Sequence, residues 1–102
     1  MMRADYDTEG DTIQIELETV RQLEHGERVA GGGAIVGIYD GRPVCIDVLS
    51  ARRCGVEQPL KAVADRYRLD AEALIAAAKA ALSAPDRAVT LDVGGRLATL
   101  PR

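Results

Sequence analysis

The feature that most constrains the fold of this chain is a change in the period of its hydrophobic residues. Polar and apolar residues alternate over residues 12–18, which is typical of a strand with one buried face. Apolar residues then recur at helical spacing over residues 60–82, and alternation returns over residues 89–93. This order predicts an α+β fold of two layers, in which an antiparallel β-meander is followed by a two-helix hairpin and a C-terminal strand or hairpin.

The length of 102 residues is that of a single domain. We expect a β-meander half over residues 5–51, a helical hairpin over 58–84 and terminal strands over 88–100. The chain has no Phe or Trp, so its core must be built mainly from Ala, Val, Leu and Ile. Its charge is uneven, because residues 1–28 carry eight acids and three bases, whereas residues 29–102 carry eight acids and ten bases.

The sequence also predicts where the chain resides. It has no run of 18 apolar residues, so we expect no membrane partner. Its first residues are acidic and lack the apolar core of a secretory signal. We therefore expect a cytoplasmic protein in which Cys45 and Cys54 are reduced thiols.

The dipeptide Asp40-Gly41 lies between two apolar runs and predicts a tight β-hairpin. Direct pairing across this turn divides the side chains between two faces, both largely apolar. A two-layer fold has helices for only one of them, so the second face is expected to meet another subunit. The predicted first face holds Ile35, Tyr39, Val44, Ile46 and Val48, and the predicted interface is formed by Val36, Ile38, Cys45 and Leu49, with Asp47 beside them.

The segments before and after this hairpin differ in how clearly their structure is predicted. Residues 19–28 fit either a second strand or an irregular connection, and His25-Gly26 is typical of a turn. Pro59 suits the first turn of a helix, and Asp70 suits the N-cap of the next.

The chain offers little catalytic material. His25, its only histidine, lies in a polar segment with no orienting partner nearby in sequence. Cys54 lies in the predicted basic loop Arg52-Arg53-Cys54-Gly55, whose arginines favour a thiolate, but no base is paired with it. Two cysteines and one distant histidine do not have the spacing of a zinc site. We therefore expect no enzymatic activity, no metal and no cofactor.

The helical segment 60–82 also resembles a helix-turn-helix, with Val63, Ala64, Leu69 and Leu74 at its apolar or small positions. In this alternative, Lys61, Arg66 and Arg68 contact DNA phosphates. Against it, Arg68 occupies the turn position usually given to Gly, and the second helix opens with Asp70 and Glu72 instead of base-reading side chains. A helical hairpin packed on the sheet is the favoured interpretation, and nucleic acid is not the expected partner.

The N-terminal half resembles an uncharacterised family of short bacterial proteins, the domain of unknown function 2283. The resemblance rests on Tyr6-Asp7, on residues 11–17 (Asp-Thr-Ile-Gln-Ile-Glu-Leu) and on residues 38–51 (Ile-Tyr-Asp-Gly-Arg-Pro-Val-Cys-Ile-Asp-Val-Leu-Ser-Ala). That family typically reads Gly-Ile-Glu where this chain has Cys45-Ile46-Asp47. The resemblance implies a small β-meander domain and an antitoxin-like role beside a small partner protein.

These observations predict a non-enzymatic protein-interaction module, antitoxin-like or regulatory, that forms a homodimer and binds a small protein partner. The alternative is a small DNA-binding regulator that uses the degenerate helix-turn-helix.

Overall fold

The computed structural model describes residues 2–91, which form a six-stranded antiparallel sheet and three helices. The strands are β1 (Met2–Asp7), β2 (Thr12–Glu16), β3 (His25–Val29), β4 (Ala34–Tyr39), β5 (Arg42–Val48) and β6 (Val89–Leu91). The helices are α1 (Ala51–Cys54), α2 (Glu57–Tyr67) and α3 (Ala71–Ser83), and a 3-10 turn at Ala30–Gly32 links β3 to β4. The α+β class predicted from the sequence is confirmed.

The strand order is β3-β4-β5-β2-β1-β6. Strands β3, β4 and β5 form a meander, but β2 pairs with β5 and not with β3. The connection from β2 to β3 must therefore pass β5 and β4. Both long helices pack on the same face of the sheet, α2 against β3, β4 and β5 and α3 against β1, β2 and β6. The opposite face, called the open face below, carries no helix of the described chain.

Strand β1 was not predicted, and of residues 19–28, for which a strand was one of two alternatives, only 25–28 belong to a strand, β3. In β1, Met2, Ala4 and Tyr6 are buried under α3 and alternate with exposed Arg3, Asp5 and Asp7. In β3, only Val29 is buried, so the strand shows almost no hydrophobic pattern. The prediction of a turn at His25-Gly26 is wrong, because both residues pair with β4. The predicted strand at 89–93 is confirmed as far as Leu91, and the predicted segment 97–100 lies outside the described residues.

The predicted hairpin is present, but its assignment of faces is wrong. Asp40 and Gly41 both have positive φ, and Tyr39 pairs with Arg42, as in a two-residue hairpin turn. Beyond the turn, Ile38 lies opposite Pro43 and Gly37 lies opposite Cys45, so Val44 is the extra residue of a β-bulge. The bulge shifts the pairing by one residue. It therefore brings together, on the helix-covered face, Ala34, Val36, Ile38, Ile46 and Val48, all of which are buried in the core, whereas Val44 is buried on the open face beneath the β2–β3 connection.

The helical hairpin follows the prediction closely. Asp70 caps α3 by accepting a hydrogen bond from the Ala73 amide (3.2 Å), and Pro59 lies in the first turn of α2. Arg68 ends α2 in the left-handed conformation (φ 58°), and the amide of Leu69 donates to the Ala64 carbonyl. Leu60, Val63, Leu74, Ala77, Ala78 and Ala81 are buried between the helices and the sheet.

The short helix α1 was expected to be a loop. Asp11 acts as its cap, because its carboxylate accepts hydrogen bonds from the amides of Arg52 (2.8 Å) and Arg53 (3.2 Å). The Tyr6 hydroxyl donates to the same carboxylate (2.8 Å), and the Arg52 guanidinium lies over the Tyr6 ring. These contacts tie the start of the helical segment to the β1–β2 turn.

Candidate functional site

The predicted interface residues are separated by the sheet. Val36 and Ile38 are buried beneath the helices, so they form no accessible interface, and their placement there is wrong. The cause is the bulge at Val44, which moves them to the other face. Cys45 does lie on the open face, where it is half-buried. Leu49 is half-buried beyond the end of β5, next to the glycine-containing turn between β3 and β4.

The open face is polar at its centre. One row of neighbouring residues crosses all six strands and contains Thr90, Arg3, Glu16, Cys45, Gly37 and Gly26. The next row contains Asp5, Gln14, Asp47, Ile35 and Arg28. An antiparallel sheet tolerates such a face in water. The open face therefore needs no second subunit to cover it, and the homodimer stays a prediction.

Carboxylates dominate the central strands of this face. Within residues 2–91, Asp5, Glu16 and Asp47 form no ion pair within 4.0 Å. Partial burial raises the pKa of Asp47, and the nearby charge of Asp5 raises it further against a hydrogen bond from Gln14. Burial likewise raises the pKa of the Cys45 thiol, and the charge of Asp47 adds to this effect. The thiol is thus kept protonated in an anionic setting.

A segment that we call the strap, residues 17–24, crosses the open face between β2 and β3. Its first end is fixed to the bulge, because the amides of Leu17 (2.8 Å) and Glu18 (3.2 Å) both donate to the Val44 carbonyl. Its last end is fixed to the hairpin, because the Glu24 amide donates to the Ile38 carbonyl (2.9 Å) and the Glu24 carboxylate accepts from the Asp40 amide.

The strap also holds the hairpin through Arg42. The Arg42 guanidinium donates to both carboxylate oxygens of Glu18 (2.7 and 2.9 Å) and to Asp40 (3.1 Å). This forked hydrogen bond is the main reason that the pKa of Glu18 is lowered. The same guanidinium lies over the ring of Tyr39, with its central carbon 5.6 Å from the ring centre. Tyr39 is thereby presented in a fixed position at the end of β4.

Leu23 of the strap lies over Gly37. A Cβ atom placed on Gly37 would lie 2.9 Å from one methyl carbon of Leu23 and 2.5 Å from the Cys45 sulfur. The side chains of Leu23 and Cys45 can therefore lie next to position 37 only because glycine has no Cβ atom. Leu23 and Tyr39 are the only large hydrophobic side chains of the described residues that are exposed, at 45% and 39%. Both lie at the Tyr39 end of β4, on the open face.

Two shallow depressions lie on the open face and share Gln14 and Glu16. The first, of about 200 Å³, lies under the strap between Cys45, Val44, Val20 and Leu23, with Glu18, Arg21 and Gln22 at its border. The second, of about 230 Å³, is lined by Arg3, Asp5 and Ala88 as well as the shared pair. Together they form a continuous uneven surface from β1 across β2 to β5 and the strap, and Leu23 and Tyr39 lie at its β4 border. This surface is our candidate functional site.

A wider groove of about 690 Å³ lies elsewhere, at the turn between β3 and β4. It is lined by Ala30, Gly31, Gly32, Gly33, Leu49, Ser50, Cys54, Gln58, Pro59 and Ala62. Gly31 and Gly32 have positive φ, as a tight turn requires. Most of these side chains are small and none is charged, so the groove displays no arrangement specific to a ligand.

The candidate catalytic residues are not brought together. His25 lies on β3, where its Nε2 atom is 3.6 Å from Glu27, whereas Cys54 is exposed at the end of α1. Across residues 2–91, no hydrogen bond joins a cysteine thiol to a histidine or carboxylate side chain. In the same part of the chain, no group of three or more His, Cys, Asp or Glu side chains is arranged to hold a metal.

The candidate DNA-contacting residues lie on the helical layer. Lys61 and Arg68 are exposed, but Arg66 is 3.8 Å from Glu27 of β3 and lies over the ring of Tyr67. Glu27 also accepts a hydrogen bond from the Tyr67 hydroxyl. Burial and this carboxylate raise the pKa of Tyr67 to about 12. Arg66 is therefore already engaged within the fold.

Comparison with protein-family models, with curated proteins and with solved structures finds no match to this chain. The resemblance over residues 5–51 thus stays a prediction. No helix in the described part of the chain is long and apolar enough to cross a membrane.

Proposed function

We propose that this protein is a non-enzymatic protein-binding module that uses the open face of its sheet. The observation that carries the proposal is the exposure of Leu23 and Tyr39 on that face. Ile35 and Cys45, both half-buried, extend this apolar surface along β4 and β5. Tyrosine is a frequent anchor of protein interfaces, and contiguous exposed apolar surface marks interaction sites.

Two further features support binding over catalysis. Tyr39 is fixed by Arg42, and the strap is fixed at both ends, so a partner would meet a largely preorganised surface. The two thiols and the histidine, in contrast, lie on three different elements, β5, α1 and β3. As part of this proposal, we expect the module to have an antitoxin-like or regulatory role, the former being what the resemblance over residues 5–51 implies.

The test is a comparative affinity capture from the native lysate, carried out with and without nuclease. The bait proteins are the wild type, the double variant Leu23→Ser/Tyr39→Ser, and the control Ala76→Ser, which alters an exposed position on α3. We expect one stoichiometric protein that the wild type and the control retain and the double variant loses. Circular dichroism and thermal melting establish that each variant is folded.

Two results would contradict the proposal. Equal capture by the folded double variant would place the binding surface elsewhere. Capture that disappears on nuclease treatment would favour the alternative, a DNA-binding regulator that uses Lys61, Arg66 and Arg68. That alternative predicts duplex binding that weakens with salt and with Lys61→Ala.

A further inference from the structure

The open face is divided into two tracks of different chemistry. The apolar track follows β4 and contains Ile35, Tyr39 and, above Gly37, Leu23 of the strap. The acidic track crosses β5, β2 and β1 and contains Asp47, Glu16, Asp5 and Asp7. Gln14 lies within the acidic track between Asp5 and Asp47, Cys45 lies between the two tracks, and neither carries a formal charge at neutral pH. The two tracks lie side by side because β4 pairs with β5.

The charges of the acidic track are not neutralised by neighbours. Asp5, Glu16 and Asp47 lack ion pairs within the described chain, whereas the strap acid Glu18 is paired with Arg42. Of the two arginines of the open face in this register, Arg3 lies opposite Glu16 at the β1 border of the acidic track but forms no ion pair within 4.0 Å with any described residue, and Arg28 lies on the far side of β4. The proximity of Asp5 already raises the pKa of Asp47, which shows that these carboxylates act on one another. An arriving cation would relieve this repulsion.

We propose that the partner segment that docks on the open face is basic and amphipathic, with apolar side chains on the β4 track and Lys or Arg side chains on the acidic track. This inference rests on the proposed function and adds the chemistry of the partner. It follows from the adjacency of the two tracks, because a purely apolar partner would leave the carboxylates covered and unpaired. An acidic partner would meet like charges directly.

The test uses a defined probe, the synthetic peptide acetyl-Lys-Val-Lys-Leu-Lys-Val-Lys-amide, and its counterpart with Glu in place of every Lys. Binding to the full chain is followed by NMR amide shifts at two salt concentrations. The open-face variant is Glu16→Gln/Asp47→Asn. The matched control is Glu57→Gln/Glu72→Gln, which removes the same charge from exposed positions of the helical layer.

We expect saturable shifts in the strap, β4 and β5 with the Lys peptide and none with the Glu peptide. The open-face variant should weaken binding about threefold or more, the control should not, and added salt should weaken the wild type. Equal weakening by both double variants would mean that only net charge attracts the peptide, and shifts on the helical layer would also overturn the inference.

A third variant separates this inference from the proposed function. Leu23→Ser tests the apolar track by itself. Its binding is measured both to the partner captured from the lysate and to the Lys peptide. If Leu23→Ser abolishes capture while Glu16→Gln/Asp47→Asn leaves it intact, the docking surface is supported and its cationic partner is refuted. If none of the open-face variants affects capture or peptide binding, both proposals fail.

Discussion

Gly37 is the position at which a single methyl group should most clearly disturb this protein. In Gly37→Ala, the new Cβ would lie 2.5 Å from the Cys45 sulfur and about 3 Å from two methyl carbons of Leu23. Leu23 is partly exposed and can move away, but Cys45 is short and is fixed to a paired strand. Overpacking of this kind costs about 1–3 kcal/mol, and the higher strand propensity of Ala offsets about 0.5–1 kcal/mol. We therefore expect a net loss of about 1–2 kcal/mol in the free energy of unfolding.

The assay is urea denaturation of four proteins: the wild type, Gly37→Ala, Cys45→Ala and the double variant. Cys45→Ala alone should cost less than about 1 kcal/mol, because the side chain is only half-buried. The double variant should be more stable than Gly37→Ala, with a coupling free energy of at least about 0.5 kcal/mol. Gly26→Ala is the matched control, since Gly26 lies opposite Gly37 and its added Cβ would approach no atom closer than 3.3 Å.

Additive effects of Gly37→Ala and Cys45→Ala would refute this reasoning. So would a Gly26→Ala variant that loses as much stability as Gly37→Ala, because the cost would then come from adding a methyl group anywhere on the open face and not from the Cys45 sulfur.

Three other substitutions test separate parts of the fold. The hydrogen bond from the Arg52 amide is the main cause of the lowered pKa of Asp11 in the folded protein. The Asp11 carboxylate therefore stabilises the fold fully at pH values above the unfolded pKa of about 3.9. This stabilisation is lost as the pH falls through the lower pKa of the folded state. Asp11→Ala should therefore lower the melting temperature at pH 7 and have progressively less effect in melts below pH 4. Asp47 has a raised pKa, so its charged form opposes folding above that pKa; Asp47→Asn should raise the free energy of unfolding at pH 7 by less than about 1 kcal/mol, and the gain should vanish in urea titrations at pH 3. Arg68→Gly should stabilise the chain by about 0.5–1 kcal/mol in the same assay, because glycine adopts a φ of 58° without steric cost; a loss of stability would show that the Arg68 side chain contributes more than its conformation costs.

The sequence predicted those elements whose hydrophobic period is uninterrupted. The hairpin around Asp40-Gly41 and the helices on either side of Arg68 follow from local patterns that their burial reinforces. Strand β1 was missed although Met2, Ala4 and Tyr6 alternate with Arg3, Asp5 and Asp7. Strand β3 offers no comparable signal, since it lies at the edge and buries only Val29.

The candidate site was less predictable than the fold for a physical reason. The bulge at Val44 depends on how two strands pair, and one extra residue exchanges the faces of every residue beyond it. The strap depends on the pairing of β2 with β5, which places the β2–β3 connection over the open face. Neither fact is encoded in a local period. The cluster of acids in residues 1–28 was visible in the sequence, but only the sheet shows which of them share a face.

The carboxylate of Glu27 affects how readily the edge strand β3 can pair with a strand from another molecule. β3 is an edge strand, and its outer backbone groups would be open to pairing with a strand from another molecule. Glu27 lies on the helix-covered face of this strand, where Tyr67 and Arg66 hold it. An incoming strand would have to accommodate this anchored charge beside its own side chains, which disfavours uncontrolled growth of the sheet. The contact of Glu27 with Tyr67 and Arg66 thus holds a charge at the edge of the sheet, where a charge works against pairing with a second molecule.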